Sequence, residues 1–435
     1  MKNLLIRLIA VGVFFGVPVA QGWATVPNDS REEVSTTAKN PLLDDKLDAA
    51  EAEDAQFEED KKKWNEFENK LFTLRIGGGI LVDTASYIQN SASKEQIGLQ
   101  PDIGLRDFRL LAKGKFKFLP RVSYTIGYMY DGANDEWRFR QTGLMLDVPE
   151  LDGNLFVGRT KEGFSTSKIM VGYYGWTNER ATANDAFIPI LGDGFKWIGR
   201  GFGNKLVYNI GWFTNALSIN QQNYAKNDSQ VAIRTVWLPF AKSESKTVLH
   251  AALEYRHGTS LNGTLQFRSK PESYLAQSYF IDTGKIPSTG NNIVGFELYY
   301  RPGPLMFGSE YFLNKVSSPQ TGSPLFHGGE IFAAYTLTKE IRQYNEAEAY
   351  FHPISPARPL FNGGPGAFEL VLRYSYTDLK SGTIDGGRFW RLTPMLNWHM
   401  TNNARLEFVY GYGVLDRFGI QGATQFFQTR LQLSL

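Results

Sequence analysis

The stretch that decides the fold is TQFFQTRLQLSL, residues 424–435. From Phe427 onward, Phe427, Thr429, Leu431, Leu433 and Leu435 alternate with Gln428, Arg430, Gln432 and Ser434. Strict alternation puts the two sets on opposite faces of a strand. In a soluble sheet the apolar face meets a core and the polar face meets water. In an outer-membrane barrel the apolar face meets lipid and the polar face lines a lumen.

The rest of the chain chooses between these. From Leu71 the same period recurs in FTLRIGGGILVD, RVSYTIGYMYD, GNLFVGRT, GNKLVYNIGWF, KTVLHAALEYRH, NIVGFELYYR, GAFELVLRYSYTD and NARLEFVYGYG. Each is about ten residues long, enough for a tilted strand to cross a bilayer. Val122, Tyr124, Ile126, Tyr128 and Tyr130 share one face, as do Leu206, Tyr208, Ile210 and Trp212, and Phe368, Leu370, Leu372, Tyr374 and Tyr376. Aromatics gather at one end of several apolar faces, as in the girdles of membrane barrels. About sixteen such segments lie between Leu71 and Leu435, enough for a barrel with an aqueous channel. The expectation is an all-β, transmembrane antiparallel barrel of about 16 strands. Its last strand closes on its first, so the chain needs no tail.

The N-terminal stretch MKNLLIRLIAVGVFFGVPVAQGWA carries Lys2 and Arg7, then an apolar run from Leu8 to Val19. That is the layout of a secretory signal, with cleavage expected near Ala24. The run is shorter than the roughly 20 residues a spanning helix needs. There are no cysteines, which removes disulfides and thiolate chemistry. Charge is segregated. Residues 25–70 hold seven Lys/Arg against fourteen Asp/Glu, and residues 71–435 carry a net charge of +7. The domain reading is a signal peptide over 1–24, a polar acidic segment over 25–70 and a barrel over 71–435. Within the second part, residues 41–70 read as a helix. Ala50, Phe57, Trp64 and Leu71 lie at seven-residue spacing, a hint of a short periplasmic coiled coil beside the plain reading of a solvated helix.

The polar faces carry the candidate site. Asp107, Arg109, Lys113, Lys115 and Lys117 lie opposite Phe108, Leu110, Phe116 and Phe118. Strand 154–161 groups Val157, Arg159 and Lys161. Lys205 and Asn209, Arg234, and Lys246, His250, Glu254 and Arg256 follow, then Arg373, Arg391, Arg405 with Glu407, and Arg430. A charge facing lipid near the midplane costs roughly 2–4 kcal/mol, so the lumen is the cheaper side. For any one residue, an ordinary solvated or cross-strand-paired charge is an equal reading. For the set, the net +7 favours an electropositive lumen. After Lys161 about thirty residues, EGFSTSKIMVGYYGWTNERATANDAFIPILG, do not alternate. A loop this long is usually functional. It reads as folded into the barrel, carrying Lys168, Glu179 and Arg180, against the alternative of a long extracellular loop.

Enzymatic function finds no support. The histidines are 250, 257, 327, 352 and 399, and His250 and His257 lie an odd number apart, on opposite faces. No Gly-x-Ser-x-Gly occurs. RIGGGI (75–80) lacks the Lys-Ser/Thr of a phosphate loop, so its glycines read as packing or bending positions. No cofactor, metal or nucleic-acid partner is implied.

Several stretches resemble the phosphate-selective porin O and P family. They are GRTKEGFS (158–165), NER (178–180), NDAFIP (184–189), AAYTLTKEIRQYN (333–345), HPISPARP (352–359), GAFELVLRYSYTDL (366–379), LNWHMTNNARLEFVYGYG (396–413) and FQTRLQLSL (427–435). The resemblance implies a sixteen-stranded, usually trimeric barrel that passes phosphate or other small inorganic anions across the outer membrane. Where the family often bears adjacent arginines with a third two residues on, this chain reads Arg106-Asp107-Phe108-Arg109, without the adjacent pair. Lys161 and Arg180 match the constriction segment and are the leading positions. The anion pathway expected from both readings comprises Lys161, Arg180, Arg159, Lys168, Arg109, Lys113, Lys115, Arg106, Arg234, Arg256, Arg373 and Arg391. The alternative is a plugged structural or adhesive barrel.

Overall fold

A computed structural model describes residues 64–132, 135–217, 227–241 and 246–435. The signal peptide, most of the acidic segment and the Ala50 and Phe57 positions lie outside the described residues. Sixteen strands form the wall, all with antiparallel neighbours. They are β1 (Thr73–Gln89), β2 (Asp102–Phe116), β3 (Leu119–Asp131), β4 (Glu136–Val148), β5 (Gly153–Thr160), β6 (Gly192–Gly201), β7 (Leu206–Thr214) and β8 (Asn227–Phe240), followed by β9 (Thr247–Ser260), β10 (Gly290–Pro302), β11 (Leu305–Ser317), β12 (Leu325–Thr336), β13 (Ala367–Ser381), β14 (Ile384–His399), β15 (Ala404–Arg417) and β16 (Ile420–Ser434). Closure is direct: β1 pairs with β16 from Gly79↔Ser434 to Gln89↔Thr424. No edge is left in the bilayer, where an unpaired backbone would cost several kcal/mol per group.

Alternation sorts the wall as the sequence reading expects. Ile126 is 46% exposed and Met129, on the opposite parity, only 4%. In β16 Phe427 and Leu433 face outward while Gln428, Arg430 and Gln432 are buried inside. The same rule corrects one strand. Val157 is half exposed, so its parity is outward. Arg159 shares that parity and pairs with Asp193, which shares the parity of the exposed Phe195 on β6. Arg159 therefore sits on the outer side of the wall, not in the lumen. Its Nε and Nη2 grip both Asp193 oxygens at 2.6 and 3.0 Å, and the Leu217 amide covers that carboxylate. An ion pair held this way is tolerated on an outer face that would reject a lone arginine.

A second correction concerns residues 64–70. They do not continue a helix. Glu66–Glu68 is a short strand along β1, with Glu66 opposite Arg75. It takes over the β1 edge where β16 ends, and the Leu435 amide donates to the Gly78 carbonyl at the junction. Backbone pairing at a bare edge outweighs the helix propensity of this stretch, and Trp64 and Leu71 remain exposed.

Successive connections alternate between the two ends of the barrel. At one end β2–β3 and β10–β11 are joined by two residues each; from the other come the long segments 161–191 and 261–289. Segment 337–366 is the exception, a long connection at the short-turn end. All three fold inward and meet two apolar clusters. One joins Phe164, Phe187, Phe267 and Phe280 of the long-loop segments to wall residues such as Phe213, Phe312 and Phe426. The other joins Met170, Tyr173 and Trp176 to Tyr344, Tyr350 and Phe351 of segment 337–366. The inward face thus carries apolar patches where these inserted segments pack against it.

Candidate functional site: the constriction

Segment 161–191 crosses the barrel and leaves a cavity of about 40 Å³ against the wall formed by β1, β2 and β16. That volume holds roughly three waters, or one small ion stripped of most of its shell. Arg106, Asp107, Arg109 and Arg430 line it from the wall; Ser167, Gly172, Asn178, Glu179 and Arg180 are among its loop-side residues.

A local irregularity brings the wall residues together. Leu81 pairs with Asp107 but Val82 with Leu105, so β2 carries one extra residue at Arg106. Such a bulge re-aims a side chain that regular alternation would send outward. Arg106, Asp107 and Arg109 therefore all reach inward. Arg106 Nε donates to Glu179 Oε1 at 3.0 Å, and its guanidinium lies 3.9 Å over the Tyr274 ring. Arg109 Nη2 donates to Asp107 Oδ2 at 2.7 Å and stacks 4.5 Å over Tyr173. The Tyr173 hydroxyl donates to the other Asp107 oxygen at 2.8 Å. Arg430 holds Asp83 through two bonds of 2.6 Å and also reaches Glu179.

Two glycines make this approach possible. A Cβ on Gly79 would stand 2.4 Å from the Tyr173 ring, and one on Gly172 would stand 3.2 Å from Arg109 Nη2. The glycine run at 75–80 is thus a packing position, as the sequence reading expects.

The loop cations have a different role. Lys161 Nζ donates to the Ile169 and Met170 carbonyls at 3.2 and 2.9 Å. Arg180 donates to the Ser167 and Met170 carbonyls. Both neutralise carbonyl ends of the short helix Thr166–Ile169 and so hold the turn. Burial lowers the pKa of Lys168, although Asp185 sits 2.6 Å from its Nζ and opposes the shift. Burial works against ionised Glu179, but Arg106 and Arg430 outweigh it and hold its carboxyl well below the usual range.

Of the residues expected on the pathway, the cavity collects Arg106, Arg109 and Arg180. Lys161 and Lys168 lie within the loop behind it. Lys113 and Lys115 continue the inward face of β2 toward the short-turn end. Arg234, Arg256, Arg373 and Arg391 are fully buried inside the barrel, away from the cavity lining, and hold the inserted segments. Arg234 pairs with Glu297 at 2.8 Å, Arg256 with Glu162 at 2.7 Å and Arg373 with Glu272 and Glu330, while Arg391 binds the Pro271 and Glu272 carbonyls.

Sequence reasoning put Arg430 on a lumen face but left it off the expected pathway, and it missed segments 261–289 and 337–366 as inserted segments and the acidic wall opposite. That wall is Glu254, Glu297, Glu310 and Glu330 on β9 to β12, with Glu310 directly opposite both Glu297 and Glu330. One glutamate at inward parity on each of four successive strands was the available signal.

The sequence pattern of the family described as phosphate-selective porin O and P matches residues 76–434. The chain belongs to that family. It is an outer-membrane porin by family and by fold. Among solved structures, OmpT of Vibrio cholerae shares 12% identity at a TM-score of 0.52, over 85% of this porin and 100% of that chain. An anion-selective porin from Comamonas acidovorans shares 11% at 0.51, over 83% and 100%. The outer-membrane channel DcaP of Acinetobacter baumannii shares 10% at 0.50, over 85% and 99%. An uncharacterized protein of Caulobacter vibrioides is 30% identical over 159 residues, 37% of this chain and 31% of its own length, so the match spans about a third of that relative.

Proposed function

We propose that this porin passes small inorganic anions, phosphate among them, through the cavity beside segment 161–191. The observation that carries the reading is the lining: four arginines, Arg106, Arg109, Arg180 and Arg430, against two carboxylates, Asp107 and Glu179. An anion entering so small a space sheds hydration, and fixed guanidinium donors replace it. Low-dielectric walls concentrate that field. Arginine suits oxyanions because its planar fork presents paired donors. Asp107 tempers the site, so binding stays weak enough for release. Lys113 and Lys115 add charge along the approach; Lys161 and Lys168 act by shaping the loop, and Arg234, Arg256, Arg373 and Arg391 by fixing the inserted segments. The anion selectivity named for the Comamonas acidovorans structure and the trimer form named for Vibrio cholerae OmpT support the same reading and a homotrimeric assembly here. Segment 337–366, at the short-turn end, would then lie on the periplasmic side.

The test is permeation into vesicles that hold the purified protein. Chloride and phosphate salts should enter faster than uncharged solutes of equal size and faster than cations paired with a large impermeant anion. Equal rates for all small solutes would remove the anion reading. A second reading, a plugged barrel, is favoured by one observation: segments 161–191 and 337–366 touch inside the lumen, where Arg342 donates to the Tyr174 carbonyl at 2.9 Å. No entry of any solute would support it.

A further inference from the structure

Segment 261–289 gives no residue to the cavity lining. Yet Lys270-Pro271-Glu272-Ser273-Tyr274 cross the wall that bears the cavity, and their tie points follow the order of the strands. The Glu272 carboxylate pairs with Arg373 of β13. Arg391 of β14 donates to the Pro271 and Glu272 carbonyls at 2.8 and 2.9 Å. Gln428 of β16 donates to the Glu272 carbonyl at 3.4 Å. The Ser273 and Tyr87 hydroxyls, the latter on β1, meet at 2.8 Å. The Tyr274 ring lies over the Arg106 guanidinium of β2, and its hydroxyl donates to Asp131 of β3 at 2.6 Å. Tyr87, Arg106 and Asp131 all stand toward the long-loop ends of their strands. These five residues therefore form a strap along the long-loop side of the cavity wall.

The strap has a fixed centre and two looser ends. Pro271, Glu272 and Ser273 are buried, and the Thr182 amide adds a bond to Glu272 at 3.1 Å. Lys270 and Tyr274 are half-buried. Lys270 Nζ donates to the Tyr274 carbonyl at 2.9 Å and stands 5.4 Å from the ring. Burial lowers the Lys270 pKa and Arg106 adds to the shift, while Glu179 and Asp131 oppose it. This lysine thus lies in the field of the cavity's own charges. The Tyr274 ring, 3.9 Å from the guanidinium, is in van der Waals contact with it, so no solute passes between them. Entry to Arg106 past this ring requires the ring to turn. Turning releases the Asp131 bond, and Arg138, 3.6 Å away, stays beside that carboxylate.

We propose that Lys270 and Tyr274 are specificity-determining residues at the long-loop entrance: Lys270 is the outermost cation that draws an anion in, and the Tyr274 ring, which turns off Arg106 to let the anion pass, sets the size admitted. The part played by Lys270 rests on the anion reading above; the part played by the ring does not.

The test uses the full chain in planar bilayers. Phosphate, the bulkier glycerol phosphate and uncharged sugars of graded size are added to one side at a time. Lys270→Gln should slow the block of chloride current by phosphate roughly two- to four-fold from one side only, and high salt should erase the difference. Tyr274→Ala should raise the size limit for glycerol phosphate and for sugars. Tyr274→Phe, which keeps the ring and loses the Asp131 bond, should fall between it and wild type. A merely structural strap would alter block from both sides alike and leave the size limit in place. Unchanged one-sided block in Lys270→Gln, or an unchanged size limit in Tyr274→Ala, would overturn the proposal. If Tyr274→Ala fails to assemble, the size limit of Tyr274→Phe decides. A wild-type pore without anion preference would defeat the anion reading and the role of Lys270, while the sugar limit would still decide the role of the ring. A wild-type barrel that passes nothing would defeat both.

Discussion

Asp107 and Arg109 form one ion pair at the cavity, so replacing either member changes the same spot by one unit of charge in opposite directions. The lining carries a net +2 from four arginines and two carboxylates. Asp107→Asn raises it to +3 and keeps an oxygen to accept from the Tyr173 hydroxyl. Arg109→Gln lowers it to +1. A unit charge about 5 Å from an ion changes its energy by about 0.8 kcal/mol at a water-like dielectric constant and about 3 kcal/mol at an effective value near 20. The lower figure corresponds to about four-fold in the permeability of each ion. Anion and cation respond in opposite senses, so their ratio changes by roughly fifteen-fold. The assay is the reversal potential of single channels under a potassium chloride gradient. Asp107→Asn should move it toward the anion limit and Arg109→Gln toward zero, with wild type between. High salt should shrink the spread, though less than for exposed charges. Three coincident potentials would mean that ions do not pass this cavity, and the reasoning would fail.

Other outcomes follow from the packing. Gly79→Ala places a methyl 2.4 Å from the Tyr173 ring; the overpacking costs about 1–3 kcal/mol, and single-channel conductance should fall as the ring is pushed into the cavity, with an unchanged conductance counting against the fit. Trp176 is buried in a box of Phe332, stacked at 4.4 Å, Tyr299 and Phe351; Trp176→Ala should loosen loop docking by about 3–5 kcal/mol, seen as larger and noisier currents, with Trp176→Phe intermediate. Burial lowers the pKa of His352, in segment 337–366, from 6.5 to about 4. The docked segment favours the neutral ring, so docking strength is complete above 6.5 and is lost progressively as pH falls toward 4. Hydrogen exchange across residues 344–352 should speed up over that window, and His352→Phe should abolish the pH dependence; an unaltered profile in the variant would reject the assignment.

The barrel was legible because its signal is local and repeated. Strands such as β3, β7, β13 and β16 state their own two faces in their sequence, and the closing pair is implied by the alternation of residues 427–435. The inward fold of segment 161–191 was legible from the break in period. What escaped reading was set by contacts between distant segments. No local pattern tells that Arg106 joins the inward face, since the bulge arises from how β1 and β2 pair. Arg159 looked equivalent to Lys161 by spacing, yet its face is fixed by Val157 and by Asp193 thirty-four residues on. The run of basic residues drew the eye to single arginines, whereas Arg234, Arg256 and Arg373 gain their meaning from glutamates on other strands or in inserted segments. Residues 64–70 read as helix because propensity is local, and they became strand because β1 offered an open edge.

The central claim is that a partly compensated arginine lining at segment 161–191 makes this porin an anion channel. Its most direct test is the reversal potential of the purified wild-type protein in a planar bilayer under a potassium chloride gradient, followed by phosphate added to the same channels. A potential on the anion side, with phosphate reducing chloride current, is the result the account predicts. A potential at zero or on the cation side would contradict it.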